Sequence, residues 1–299
     1  MAGELAVVTG GGGGIGREVA LALAQAGARV VVACRCADAG AAVAAHIRGA
    51  TGNDAVWAEA ADLASAGGVA SLAAAVARRA GAGGVKVLVN CAAAAPARAR
   101  EATVEGLEVQ LAVGVLGAHR LARALLPALR AAAPAQVLNI GSTFAGGLDL
   151  ADLSFDRRPY SALRAYQASK QAVRMLTWGW AERAAPAGVA VNCCHPGVVM
   201  GTKVASALGL RAGTHTAREA GAGVARVVQW VAEGGRWHGA TGAFWIVRSA
   251  AERAAASAVG TRTGAGQGDA DGPEECPWQD DEGCAALLRA LDELDELDA

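Results

Sequence analysis

The segment YQASK places a phenol and an ammonium four residues apart, Tyr166 and Lys170, in a chain that has only two Tyr and three Lys. On a helix that spacing puts both side chains on one face. An ammonium beside a phenol favours the phenolate and lowers its pKa from about 10, which makes Tyr166 usable as proton donor and acceptor near neutrality. Ser142 closes the apolar run VLNIGS, where its hydroxyl can bond a substrate carbonyl and turn it towards Tyr166. The histidines at 46, 119, 195, 215 and 238 share no metal-ligand spacing, and no metal is expected. His195 reads as part of the HPG turn rather than as a base.

Elements that can hold such groups follow from the periodicity. LAVVT, RVVVA, DAVWAEA, VKVLVN, AQVLNI, VAVNCCH and AFWIV read as strands, several apolar on both faces as buried parallel strands are. Ala-rich stretches of helical length lie between them, at 14–26, 37–49, 65–80, 103–131, 164–184 and 217–233. Strict alternation predicts an α/β doubly wound Rossmann fold, its sheet mostly parallel with about seven strands and helices on both faces. Ser142 then stands at the carboxyl edge of a strand, where open parallel sheets bind ligands.

The run TGGGGGIG at 9–16 joins the first strand to a helix starting near Gly14, the context of a dinucleotide loop rather than of a tether. Glycines permit the tight turn, the close approach of backbone to a pyrophosphate, and a helix N-terminus that offers free N–H groups. Two spacings fit: Gly11, Gly13 and Gly16 satisfy G-x-G-x-x-G, while Thr9, Gly10, Gly14 and Gly16 satisfy T-G-x-x-x-G-x-G. The second strand ends in VVVACRC, without the acid that binds ribose hydroxyls in NAD binders. Arg35 is placed for a 2′-phosphate, with Arg17 as a second cation, so NADP(H) is the expected cofactor. Asp62 is expected at the adenine.

Composition sets the outer bounds. With 53% hydrophobic and 18% charged residues the chain suits a tightly packed globule. No run of about eighteen apolar residues suggests an integral membrane segment, and Met1 stands too close to the first strand for a leader, so a cytoplasmic location is expected. Seven cysteines show neither a disulfide framework nor a zinc spacing and read as reduced thiols. Residues 269–299 hold twelve acids and one base, leaving 26 bases against 16 acids before them. Those bases are dispersed, which argues against nucleic acid as partner. The expected organisation is a catalytic domain at 1–258, an acidic low-complexity linker at 259–284 and an amphipathic helix at 285–299, with leucines at 287, 288, 291, 294 and 297. Trp178 and Trp180, on the helix of Lys170, leave a homodimer through that helix open.

In order along residues 4–250, TGGGGGIG, ACR, ADL at 61–63, VNCAA at 89–93, Ser142, YQASK and HPGVV at 195–199 resemble the short-chain dehydrogenase/reductase superfamily. EGLEVQLAVGVLGAHRLARALLPAL at 105–129, the 24-residue interval from Ser142 to Tyr166 and TGAFW at 241–245 resemble its retinol-dehydrogenase-like branch. The resemblance implies hydride transfer between NADP(H) and a carbonyl or alcohol carbon, with Tyr166 as acid/base, Lys170 on the nicotinamide ribose and Ser142 polarising the carbonyl. Asn90 and the Pro196-Gly197 turn would flank the nicotinamide half, and the motifs bring Ile15, Leu63, Ala92 and Val199 along as cofactor contacts.

Several positions depart from the pattern. Gly114 stands where this branch carries an Asn that supports a proton relay, Cys91 and Ala93 replace the Asn and Gly of N-N-A-G, and the Thr expected at the carboxamide comes one residue late, at Thr202. Gly11, Gly12 and Gly13 fill variable positions. The alternative reading is a catalytically weakened NADP(H)-binding regulatory or scaffold protein. Apolar residues in 143–160 and 198–215, including Phe144, Leu148, Leu150, Leu153, Phe155, Val198, Val199, Met200, Leu208 and Leu210, are expected to roof a pocket for a small lipophilic carbonyl or alcohol.

Overall fold

Valine-rich runs with no polar face suit strands buried within a sheet, and all seven expected strands form: β1 (Leu5–Thr9), β2 (Arg29–Cys34), β3 (Val56–Ala60), β4 (Val87–Asn90), β5 (Ala135–Ile140), β6 (Val189–His195) and β7 (Phe244–Ile246), with β3, which carries Glu59, at the sheet edge. The computed structural model describes residues 1–232, 239–249, 252, 273–274 and 280–296. The sheet order is β3-β2-β1-β4-β5-β6-β7, parallel throughout, and β8 (Pro273–Glu274) adds a short antiparallel edge to β7. That eighth strand falls inside the stretch read as linker, most of which lies outside the described residues.

The helices are α1 (Gly14–Gln25), α2 (Ala37–Thr51), α3 (Ala66–Ala80), α4 (Val109–Leu111), α5 (Gly117–Ala131), α6 (Ala162–Ala184), α7 (Lys203–Ala207), α8 (Ala217–Ala232) and α9 (Asp281–Glu296). Helices α1, α2 and α8 cover one face of the sheet, and α3, α5 and α6 the other, each over its own apolar core. This is a doubly wound Rossmann fold. The order reverses between β1 and β4, which puts the ligand crevice at their carboxyl ends.

Three boundaries differ from the periodicity. The helix expected from residue 103 begins at Val109, because the buried Glu108 carboxylate accepts from Gln110 N and Leu111 N, both at 2.9 Å, and so caps the first turn. A π-helical turn, Ala112–Leu116, then joins α4 to α5, with Gly114 inside it. Helix α9 starts at Asp281 rather than 285, its first-turn acids Asp281 and Glu282 complementing the helix dipole; residues 297–299 lie outside the described residues. Val109–Ala131 is long and apolar enough to cross a membrane by length and composition, yet 67% of its eighteen-residue apolar window is buried within the protein.

Candidate active site

Strand β1 delivers the glycine loop. Gly10 has φ +68°, and a Cβ there would stand 2.9 Å from Ala92 Cα; at Gly16 it would stand 2.5 Å from the Gly10 carbonyl. Both glycines are therefore obligatory for the turn and for packing α1 on it. Gly11 and Gly12 are not open positions either, since a Cβ would meet Val32 Cγ1 at 2.8 Å and Cys34 at 3.0 Å. Only Gly13 of these three faces open space. No side chain caps α1, so its first-turn N–H groups, at Gly14, Ile15 and Gly16, have no side-chain acceptor. A cradle closed to a Cβ at Gly10, Gly11, Gly12 and Gly16 and an uncapped helix N-terminus fit a pyrophosphate.

Thr9 turns inward instead. Its Oγ1 accepts from Cys91 N at 3.0 Å and Ala92 N at 3.1 Å, tying the end of β4 to the loop. Asn90 is buried and donates to Asn139 Oδ1 at 2.8 Å, while its own Oδ1 has no partner among the described residues. Burial pushes the Cys91 thiol up to about 11, with the Lys170 charge opposing it, so Cys91 stays protonated beside the site.

The two arginines part company. Arg17 gives Nε and Nη2 to Glu18 Oε1 at 2.9 and 2.6 Å, so its charge is already matched. Arg35 is exposed at the end of β2, with no hydrogen bond or ion pair among the described residues. Arg17 is thus exposed but tied to its neighbour, and Arg35 is the cation with no such tie among the described residues. Asp62 is exposed and accepts from Ala64 N at 3.0 Å, while Leu63 is buried, its carbonyl 2.6 Å from where a Cβ of Gly117 would sit.

Helix α6, capped by Ser161, sets the expected site residues as a ladder along the end of β5. Arg174 donates from Nη2 to the Ser142 carbonyl at 2.7 Å; one turn earlier the buried Lys170 donates from Nζ to the Ile140 carbonyl at 2.8 Å. Another turn on, Tyr166 is half-buried beyond the strand end, its ring centroid 5.8 Å from Lys170 Nζ, and its hydroxyl has no partner among the described residues. Ser142 Oγ accepts from Phe144 N at 3.0 Å, which leaves its own proton to donate. Arg174 escaped the sequence reading, although the spacing Tyr166, Lys170, Arg174 repeats every four residues and was there to find.

Strand β6 delivers the other wall. A Cβ at Gly197, φ +87°, would lie 2.0 Å from His215 Nδ1, so the imidazole rests on the turn after the buried Pro196. Buried Val199 bridges to His215. Thr202 caps α7, accepting from Ala205 N at 3.1 Å, and its methyl lies 3.8 Å from where a Cβ of Gly14 would be. Thr202 thus sits over the glycine loop, but its hydroxyl is occupied by the cap. Burial, then the His215 and Arg174 fields, push His195 down to about 4, a neutral side chain with Nε2 3.5 Å from Thr143 Oγ1.

The expected roof divides in two. Phe155 is buried, in the left-handed region at φ 57° with the Arg158 guanidinium 3.8 Å above its ring, and Leu148 and Leu153 pack into the core. Phe144, Leu150, Met200 and Leu210 are exposed at the rim. A cavity of about 390 Å³ lies elsewhere, against Trp57, Arg29 and Arg79 of the β3 edge.

Comparison with known proteins agrees with this arrangement. The short chain dehydrogenase family model matches residues 4–211. Retinol dehydrogenase 13 of Mus musculus is 36% identical over 221 residues, 73% of this chain and 64% of the relative, so the chain spans less than two thirds of that protein's length. A solved structure from Mycobacterium paratuberculosis shares the fold, with TM-score 0.73 and 23% identity over 99% of this chain and 94% of that one. A metagenomic short-chain oxidoreductase solved in complex with NADP is 26% identical, with TM-score 0.61 over 83% of this chain and 98% of its own. Glycine cradle, parallel sheet and relatives together make this chain a member of the short-chain dehydrogenase/reductase superfamily, in its retinol-dehydrogenase-like branch.

Proposed function

We propose that this oxidoreductase moves hydride between NADP(H) and the carbon of a lipophilic ketone, aldehyde or alcohol, with Tyr166 as general acid/base. The observation that carries the reading is the α6 ladder, in which Lys170 and Arg174 are fixed on the carbonyls of Ile140 and Ser142 while the Tyr166 hydroxyl has no partner among the described residues. A buried or half-buried hydroxyl left in this state awaits one from a ligand.

The first-turn N–H groups of α1 and the Gly10 and Gly16 backbone would hold the pyrophosphate, Arg35 the 2′-phosphate, and Asn90, Pro196, Gly197 and Val199 would flank the nicotinamide. Bound there, the dinucleotide supplies or accepts the hydride. In reduction the Ser142 hydroxyl donates to the substrate oxygen and orients it, and Tyr166 gives that oxygen its proton; in oxidation Tyr166 takes the proton back. Lys170, its Nζ 5.8 Å from the Tyr166 ring centroid, would meet the nicotinamide ribose beside the phenol. Exposed Phe144, Leu150, Met200 and Leu210 suit a lipophilic substrate entering at the rim. Six cysteines outside any disulfide among the described residues fit a reducing compartment, the cytoplasm.

The test is NADPH oxidation followed by absorbance across a panel of lipophilic carbonyls, in parallel with NADH. NADPH-dependent turnover supports the reading. NADPH binding without turnover of any carbonyl would favour the alternative, an NADP(H)-binding regulatory protein, for which the bare π-helical turn at Gly114 is the motivating feature.

A further inference from the structure

Strand β5 ends at Ile140, which pairs in register with Cys194 of β6, so Ser142 stands beyond the last ladder pair. Gly141 still reaches back to the sheet, donating its N–H to the Cys194 carbonyl at 2.9 Å. Past that bond the ladder no longer fixes the chain. A hydroxyl that must meet a substrate oxygen nevertheless needs its backbone held, because a misplacement of about 1 Å can cost on the order of 10²-fold in rate.

A side chain takes over where the ladder stops. Arg174, buried on α6, donates from Nη2 to the Ser142 carbonyl at 2.7 Å. Its guanidinium carbon lies 4.1 Å from the ring centroid of Phe244, so the cation rests on β7 while it grips the residue after β5. Phe244 also flanks Gly141, where a Cβ would stand 3.6 Å from Phe244 Cε2 and collide with Cys193 Sγ. A position that only filled the space between α6 and β7 would take an apolar side chain at lower cost, since a buried cation must be desolvated. Ser142 Oγ in turn accepts from Phe144 N at 3.0 Å, so the direction of the hydroxyl follows the backbone that Arg174 holds.

We propose, resting on the reading of Ser142 as the hydroxyl that orients the substrate oxygen, that Arg174 is a positioning residue for the reaction. It acts through Ser142: the bond to the Ser142 carbonyl sets the angle at which the hydroxyl meets the substrate.

Two readouts test this, and the first needs no turnover. In the full chain without ligand, Arg174→Met should speed amide hydrogen exchange at Phe144 by about tenfold or more, while exchange at Gly141, tied to Cys194, changes less than about twofold. The second readout is kinetic, with NADPH and an accepted carbonyl. Arg174→Met should lower kcat by about tenfold or more with the KM for NADPH changed less than about threefold. Combined with Ser142→Ala, it should cost no more than Ser142→Ala alone, because nothing is left to position.

Phe244→Leu withdraws only the ring beneath the guanidinium and serves where Arg174→Met does not fold. It should raise Phe144 exchange and lower kcat by roughly threefold each. Unchanged Phe144 exchange in the variants that fold overturns the proposal, whatever the turnover. So does a double variant whose loss is the product of the two single losses. A Ser142→Ala chain that keeps full turnover is a separate result: it refutes the role of Ser142, and the proposal falls with it even if Phe144 exchange responds.

Discussion

The two halves of α6 are built from the same kinds of residue and are used in opposite ways. In the C-terminal half, Gly179, Trp180 and Arg183 are matched by Leu288, His119 and Asp292, so the notch, the indole N–H and the charge all have partners within the chain. In the N-terminal half, Lys170 is held by a single carbonyl and the Tyr166 hydroxyl by nothing among the described residues. Arg17 and Arg35 repeat the contrast at the glycine loop, one bonded to Glu18 and the other without a partner among the described residues. Polar groups that a fold has paired are architecture; those left unpaired at strand ends mark where a ligand completes the set.

If this division holds, changes in one half should leave the other untouched. Lys170→Met should lower kcat by about 10²-fold or more, and Ser142→Ala by about 10²-fold, while alkylation of Cys284, buried on α9, stays slow in both. Faster labelling of Cys284 would mean that the two halves are not independent.

Acid should act on the other half. Burial first, opposed by the Asp292 charge, pushes His119 down to about 4 in the fold. Between about 6.5, its unfolded value, and 4 the unfolded chain therefore binds more protons, and stability falls as pH falls through that window. The neutral, buried His119 accounts for a loss on the order of 3 kcal/mol across it, His195 adds a further loss of the same sign, and both contributions are fully present above about 6.5. Melting temperature against pH measures the total, and a His119→Gln chain should lose its share of the slope; an unchanged slope would remove His119 from the account.

Arg35→Ala should weaken NADPH binding by about 10- to 100-fold, the range of a charge-assisted hydrogen bond, with little effect on NADH. Arg17→Ala, already paired with Glu18, should cost only a few-fold, and titration with both dinucleotides separates the cases. Equal losses of NADPH and NADH affinity at Arg35 would refute its role. The smallest effect is expected at Gly114, where an added Cβ meets nothing within 4 Å. Gly114→Asn should be accommodated and raise kcat a few-fold; no gain on any accepted substrate would argue against a missing relay.

Strands and the glycine loop were legible because they depend on local pattern: an apolar run long enough to cross a sheet, and glycines at a spacing that backbone geometry demands. Less legible was whatever depends on a partner distant in sequence. Glu108 makes a helical pattern start late by capping its N-terminus, a role its neighbours in sequence do not announce. The pairing of Arg17 with Glu18 hid within a favourable motif, and the tightness of Gly11 and Gly12 depends on Val32 and Cys34 from the next strand. Arg174 was in plain view by spacing, but its target, the Ser142 carbonyl, exists only once β5 and α6 are packed. The acidic character of residues 281–296 was evident, whereas the basic face that receives them is assembled from α5 and α6.

The most direct test of the central claim is Tyr166→Phe, which removes a hydroxyl that has no partner among the described residues and little else. Measured with NADPH and a carbonyl that the unsubstituted enzyme reduces, turnover should fall by about 10²- to 10⁴-fold while NADPH affinity changes less than threefold or so. Turnover that survives the substitution would contradict the assignment of Tyr166 as the acid/base.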